Sequence, residues 1–441
     1  MHRDLPRRLG LLDAVSIVVG IVVGGGIFLA PNLVARSLGS APLILAVWIF
    51  AGVVSFFGAL GCAELGAAFP ATGGQYAFLR DAYGPLAGFL CGWTMFTVYR
   101  SAQIAWLAVS FSIYTGYLIP LSPLAAKAFA VAAIAFFCSV NYLGATAGAG
   151  AQKIFTAAKI VGILLIVGSA FFMAGRAPAA PTAQSAFSAS SFGVALIACL
   201  LAFDGWAQLS DVAGEIRDPQ RNIFRGLAIG SAICIAVYLL ANLAYLRVLS
   251  IPEIAGSDYV GATAAERALG PAGGKLVSAI VLISILGALN GCFLTTPRIC
   301  FAQAADGLFF GRFAQAHPRY RTPSFAIAAQ GVWTALLVAT GSYASLVNYA
   351  MFATWLFYGA MMGAVIVMRR RRPDAPRPYR MWGYPATALV FLAITAWFLG
   401  NMLINEPWPS LTSLGLIAAG LPAYVVWKTR HPAARAAQSR S

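Results

Sequence analysis

Apolar stretches of about twenty residues recur from one end of the chain to the other, the length a helix needs to cross roughly 30 Å of hydrocarbon. In that medium every backbone N–H and C=O must find a partner within the protein, so only helices and closed barrels span it. Strand-type alternation with short polar turns is absent, which leaves helices. Composition agrees: of 441 residues, 60% are hydrophobic and 10% charged, with a mean hydropathy of +0.78. A soluble domain carries roughly a quarter charged residues. The N-terminus is basic (Arg3, Arg7, Arg8), but the apolar run behind it is long and meets Gly24-Gly25-Gly26 and Pro31. It reads as a first span rather than a cleavable signal peptide.

Twelve spans fit, with windows 12–37, 41–69, 84–117, 124–143, 152–174, 191–211, 223–249, 274–305, 324–341, 343–368, 384–404 and 409–428. An even number puts both termini on one side. If that side is cytoplasmic, inner loops hold Arg80, Lys153, Arg217, Arg221, Arg225, Arg312, Arg319, Arg321, Arg369 to Arg372, Arg377 and Arg380. The tail adds Lys428, Arg430, Arg435 and Arg440. Outer loops keep Arg176, Arg267 and Lys275 beside Glu253, Asp258, Glu266 and Glu406. This is the distribution of the positive-inside rule. It accounts for the formal charge of +16 without nucleic acid, for which no basic, aromatic-interleaved platform exists. The longest stretches expected to be non-helical are 175–190, 250–273, 306–323 and 369–383, and no soluble domain is inserted. The whole chain, 1–441, is one transmembrane domain.

No enzyme signature is present. The three histidines (His2, His317, His431) fall in loops or termini, and no metal-ligand spacing, phosphate loop or nucleophile elbow occurs. No cofactor or metal is implied. The seven cysteines lie inside apolar segments, without a CxxC pair, and read as small apolar filler.

Two spans carry interruptions. The first reads Val18-Val19-Gly20-Ile21-Val22-Val23-Gly24-Gly25-Gly26-Ile27-Phe28-Leu29-Ala30-Pro31. Each interior glycine costs a helix about 1 kcal/mol against alanine, so three together mark unwound backbone. Such backbone is tolerated at membrane depth only against protein or a water-lined cavity. The sixth span carries Phe203-Asp204-Gly205-Trp206, an acid beside a glycine deep in an apolar run. Either Asp204 is a site wall or its carboxyl is held by the amides of the break. The breaks lie five spans apart, and an odd interval makes such a repeat inverted, the best sequence pointer to a transporter site. A half-helix N-terminus after Gly26 suits a carboxylate. Carbonyls freed before the break accept from an ammonium, so a zwitterionic α-amino acid is the expected ligand.

These residues resemble the amino acid–polyamine–organocation superfamily, and within it the L-type amino acid transporter group. Four segments carry the resemblance. The first is Gly20 to Phe28 with Pro31, where the family more often has serine at Gly25. The second is Glu64-Leu65 through Phe69-Pro70-Ala71-Thr72-Gly73-Gly74-Gln75-Tyr76 to Tyr83-Gly84. The third is Phe203-Asp204-Gly205-Trp206 leading into Glu215 to Ile223, and the fourth is Gly287-Ala288-Leu289-Asn290-Gly291 with Arg298. Their order and spacing cover roughly Leu9 to Arg321 and continue more weakly beyond.

The resemblance implies an all-α membrane fold: twelve helices in a five-plus-five inverted repeat of the LeuT type, with repeat one about 12–174, repeat two about 191–368 and extra helices about 384–428. It implies a substrate carboxylate at Gly24, Gly25 and Gly26, and an amino group at carbonyls near Val22, Leu201 and Ala202. Phe203 is expected as an aromatic gate or a packing residue. Asp204 matches an aspartate of carriers accepting cationic amino acids. Lys159 matches a lysine whose ammonium replaces a sodium ion near the first and eighth spans, against the plainer reading of a lysine reaching the inner interface. Arg100 matches a family arginine, with ion pairing its simplest role. Asn290 either meets substrate or ties helices together. Animal members join a glycoprotein through a cysteine between spans three and four. Leu118 to Pro123 has none, so no disulfide-linked heavy chain is expected. The expected activity is sodium-independent amino acid exchange in an inner membrane with both termini cytoplasmic. Proton-coupled or cationic symport and a non-transporting sensor are the alternatives.

Overall fold

The computed structural model describes residues 5–172, 188–341 and 343–430, with backbone alone at 343–348 and 428–430. His2, Arg3, Arg176, His431, Arg435 and Arg440, and most of the 175–190 stretch, lie outside the described residues. Among the described residues the chain is helical throughout, with one isolated bridge, Leu9 to Ile216.

Among the described residues, nine helices are long and apolar enough to cross a bilayer, from Ala41–Ala68 to Pro407–Trp427. The pair Leu11–Val22 and Gly26–Leu38, bent by 41°, makes a tenth span. Two expected windows fall short of that standard. Ser324–Thr340 has 17 residues, and the third span is divided by a π-helical turn, Met95–Tyr99, between Pro85–Thr94 and Arg100–Leu118. The expected non-helical stretch 250–273 is corrected: it contains the helices Ile251–Gly256 and Val260–Leu269. Ser250 and Glu253 cap the first of them reciprocally, a local signal that a hydropathy scan does not weigh.

The first span breaks where its glycines stand. The Val23 N–H still reaches the Val19 carbonyl, but the Gly24 N–H turns back on Val22 at 2.7 Å. A new helix starts at Gly26. The sixth span runs from Ala189 to Ala202, turns over Phe203-Asp204-Gly205, and continues as a 3₁₀ helix from Trp206 to Glu215. Gly205 has φ of +122°, which a side chain tolerates poorly. Gly26 is required for a different reason. A Cβ there would stand 2.7 Å from the Cα of Ala202, so the two broken spans cross in backbone contact.

Ion pairs, backbone bonds and ring contacts gather segments near both ends of the described chain, with several loops, on one face. The N–H groups of Arg8 and Leu9 donate to the Glu215 carbonyl, and Arg217 returns a bond to Leu9. Arg298 holds Glu215 at 2.8 Å, and Lys153 holds Asp13 at 2.9 Å. Arg80 and Tyr76 both bind Asp306, while Arg369 and Arg377 converge on Glu64. Trp427, near the other end, stacks on Phe309 of the same face.

Candidate substrate site

The two breaks line a small cavity of about 10 Å³, room for roughly one water. Its walls include Val22, Gly24, Gly25, Gly26, Leu201, Ala202 and Asp204 from the broken spans, and Gln103 and Trp106 from the third. A second space, also about 10 Å³, shares Gln103, Trp106, Leu201 and Asp204 and extends to Tyr99, Ala350 and Met351. The structure thus brings together seven of the expected substrate residues.

At the glycine end, Phe28 and Leu29 donate to the Gly25 carbonyl as the new helix winds up. The first N–H groups of that helix have no intrahelical acceptor and carry the positive end of its dipole. On the opposite strand of backbone, the carbonyls of Val22 and Ala202 both accept from the Tyr238 hydroxyl, at 2.7 and 2.8 Å. One hydroxyl proton therefore bridges the last carbonyls of both half-helices.

Lys159 is fully buried, and its ammonium donates to the carbonyls of Gly20 (2.8 Å), Val23 (2.6 Å) and Ser284 (2.9 Å). The first two belong to the breaking helix and the third to the eighth span. The Ser284 hydroxyl adds bonds to Val23 and Gly24. Lys159 therefore does not reach for the interface. It is a point charge occupying a cage of carbonyls, three donors against three acceptors.

Asp204 is held by neutral donors. Tyr358 donates at 2.7 Å, Gln103 at 2.9 Å and Tyr99 at 3.1 Å. The neighbouring cation, Arg100, is buried and pairs with Asp211 at 3.1 Å, as its expected role requires, while also donating to the Tyr99 hydroxyl. Asp204 is the one charged residue among those lining either space. Tyr99 reaches it from the π-helical turn, which leaves carbonyls without their usual helical donors. The Ser101 hydroxyl serves Phe96 and the Trp333 indole serves Thr97.

Two expected residues stand elsewhere. Phe203 turns away from the cavity and packs on Tyr238 and Trp48, with ring centroids 4.7 and 5.9 Å apart, so Leu201 takes the wall position instead. The break explains this, because unwinding after Ala202 rotates the next side chain off the helical face. Asn290 spends its amide on Gly148 and Gln152 and accepts from Asn141, all on the fourth and fifth spans. It ties helices together. Sequence reasoning missed Tyr238, Tyr99, Tyr358 and Trp106. Gln103 and Trp106 share a helical face at spacing i, i+3, a faint signal. A tyrosine in an apolar run announces nothing about which carbonyls it will bridge.

Residues 9–419 match the family model described as amino acid permease. The chain is 32% identical over 436 residues to the serine/threonine exchanger SteT of Bacillus subtilis, covering 98% of this chain and 99% of that one. It is 33% identical to the human b(0,+)-type amino acid transporter 1, covering 96% and 88%. It is 32% identical to the human large neutral amino acids transporter small subunit 2, covering 96% and 81%.

Proposed function

The chain belongs to the amino acid permease family, and on that premise we propose that it exchanges L-amino acids across a membrane by alternating access. The observation that carries this reading is the cavity between two unwound segments, with helix N–H groups at one end and unwound carbonyls at the other. An α-carboxylate suits the N-terminus beginning at Gly26, where the dipole offers about half a positive charge. The ammonium suits the carbonyls of Val22, Leu201 and Ala202. Tyr238 donates to two of these, so a substrate ammonium shares them with its hydroxyl or displaces it.

Lys159 stands in for a coupling cation. An ammonium tethered to the fifth span supplies the charge that a bound sodium ion would bring to the carbonyls of the first and eighth spans. A tethered charge cannot leave with the substrate as sodium would, so sodium does not drive the cycle; exchange is the reading taken, with proton coupling as the alternative. The half-helices are the moving parts. The five-plus-five inverted repeat, about 12–174 and 191–368, supplies two related bundles that can rock about the site.

A second reading concerns the substrate class. Asp204 is the lone charge on the cavity wall and is bonded only by neutral groups, which favours a cationic side chain over a neutral one. The relatives' names span serine/threonine, b(0,+)-type and large neutral amino acid carriers. The face gathering segments near both ends of the described chain is assigned to the cytoplasm of an inner membrane, on the basic residues it carries. A disulfide-linked heavy chain is not expected, because the seven cysteines are buried or half-buried.

The test is counterflow in proteoliposomes across a panel of amino acids and polyamines, with and without sodium and a pH gradient. Saturable uptake that needs internal amino acid and persists without sodium supports exchange. Binding without flux indicates a sensor. Uptake that collapses when sodium is replaced removes Lys159 from its assigned role.

A further inference from the structure

Behind the cavity wall, one guanidinium fixes the direction of the hydrogen bonds that reach Asp204. Arg100 is fully buried against Tyr99, its guanidinium carbon 4.5 Å from the ring centroid. One nitrogen donates to the Tyr99 hydroxyl at 3.2 Å and lies 3.5 Å from the Gln103 carbonyl oxygen, and another donates to Asp211 at 3.1 Å. Arginine is always charged and can only donate, so each of these oxygens is an acceptor. Tyr99 keeps one hydrogen to give. Asp204 at 3.1 Å and the Tyr358 oxygen at 3.0 Å are within its reach, and Tyr358 gives its own hydrogen to Asp204 at 2.7 Å. Both routes end on the same carboxylate.

Gln103 is set in the same way. Its carbonyl oxygen also accepts from the Gln208 amide at 2.8 Å, so its own amide faces Asp204 at 2.9 Å, and Gln208 in turn accepts from Thr295 at 2.8 Å. Hydrogens therefore converge on both oxygens of Asp204. That suits an ionised carboxylate, which only accepts, whereas a protonated acid would set its O–H against a donor. Charge is arranged to match. The Arg100 cation would oppose a cationic substrate, but Asp211 lies against it, and neither side chain has exposed surface. Opposite charges that close largely cancel at the distance of the cavity, so a substrate meets the charge of Asp204. The other titratable groups near Asp204 are Tyr99 on the third span, Tyr358 on the tenth and Cys292 on the eighth.

We propose that Arg100 is a positioning residue for cationic side-chain recognition: it commits Tyr99 and Gln103 as donors and so holds Asp204 as an anion, while Asp211 cancels its own charge. The substrate class rests on the reading of Asp204 as a cation-selective wall. The polarity of the hydrogen bonds does not. The π-helical turn supplies the geometry. Consecutive side chains on an α-helix do not face each other, yet Tyr99, which closes the turn, and Arg100, which opens the next helix, are in contact.

The experiment is infrared difference spectroscopy of the full chain in proteoliposomes, each spectrum taken against the same protein carrying Asp204→Asn, at mildly acidic and mildly alkaline pH. Wild type and Arg100→Lys, which keeps a donor-only cation, show no protonated carboxyl band from Asp204 at either pH. Arg100→Gln combined with Asp211→Asn removes the buried pair neutral for neutral and leaves an amide that can accept. There the band appears at mildly acidic pH and is lost at alkaline pH. If that double variant does not fold, Tyr99→Phe, which cuts the hydroxyl route and leaves the pair in place, develops the same band. Uptake is the second readout. The double variant's KM for lysine rises at least about tenfold at mildly acidic pH, the worth of one charge-assisted contact, and returns to the wild-type value at alkaline pH, while its KM for alanine is unchanged. An Asp204 band in the wild type or in Arg100→Lys, no band in the double variant or its substitute, or lysine and alanine KM values moving together overturns the proposal. A wild type that carries no lysine removes the cationic reading, and the infrared bands, which need no substrate, still decide whether Arg100 holds Asp204 as an anion.

Discussion

The ammonium nitrogen of Lys159 lies 2.6 Å from the carbonyl oxygen of Val23, the residue at which the first helix stops. With the bonds to Gly20 and Ser284, that contact fastens the broken helix to the fifth and eighth spans through a single side chain. Lys159→Gln offers two amide hydrogens where three carbonyls need donors, and removes the charge. Exchange should fall at least about tenfold, the scale of one buried charged hydrogen bond lost at 1.5–3 kcal/mol, with membrane insertion preserved. Counterflow on matched amounts of protein reads it. Wild-type flux unaffected by sodium and a variant that regains activity in sodium are the strongest form of the result.

Tyr238→Phe deletes the proton that bridges Val22 and Ala202 and nothing else. If the substrate ammonium uses those carbonyls, apparent affinity should change by about two- to tenfold, the range of a neutral hydrogen bond. The maximal rate should change less. A variant with altered thermal stability but unaltered affinity would show that the hydroxyl only braces the breaks.

Gly25 and Gly26 should differ although they are neighbours. A Cβ at Gly25 meets nothing closer than 3.6 Å, whereas one at Gly26 comes 2.7 Å from Ala202 Cα. Gly25→Ala is therefore expected to keep most activity and Gly26→Ala to lose it by prising the two spans apart. Gly25→Leu adds bulk against Ile285 and Leu29 beside the cavity and should abolish binding while the protein still inserts. Substrate-induced thermal shift and counterflow together separate these outcomes.

Asp204→Asn keeps the shape of the side chain and removes its charge. Lysine and arginine uptake should fall at least about tenfold while alanine uptake changes little, the loss of one charge-assisted contact. Equal losses for both classes would mean that Asp204 serves the network of Tyr99, Tyr358 and Gln103 rather than the substrate.

Asn290→Ala should behave as a structural variant. Its amide serves Gly148, Gln152 and Asn141, so truncation leaves buried partners unmade and should cost about 1–3 kcal/mol of stability. The melting temperature should fall with the apparent substrate affinity unchanged.

Hydropathy, the glycine triplet and the Asp204-Gly205 pair were enough to place an all-α membrane chain, two breaks and the backbone that lines a cavity between them. These are local properties: apolar run length sets the span, and glycine content sets where a helix cannot hold. Lys159 was legible only through resemblance, since a lysine six residues past Lys153 equally suits an interface. Side-chain destination was decided by tertiary structure. Unwinding after Ala202 sent Phe203 to Trp48 and Tyr238 and left Leu201 on the wall, while Asn290 turned to the fourth and fifth spans. Tyr238, in an unbroken helix, acquired its role because the ends of two other helices arrive at its hydroxyl. A polar group in hydrocarbon must find a partner, but which partner depends on what the packed spans bring within 3 Å, and no pattern along one segment encodes that.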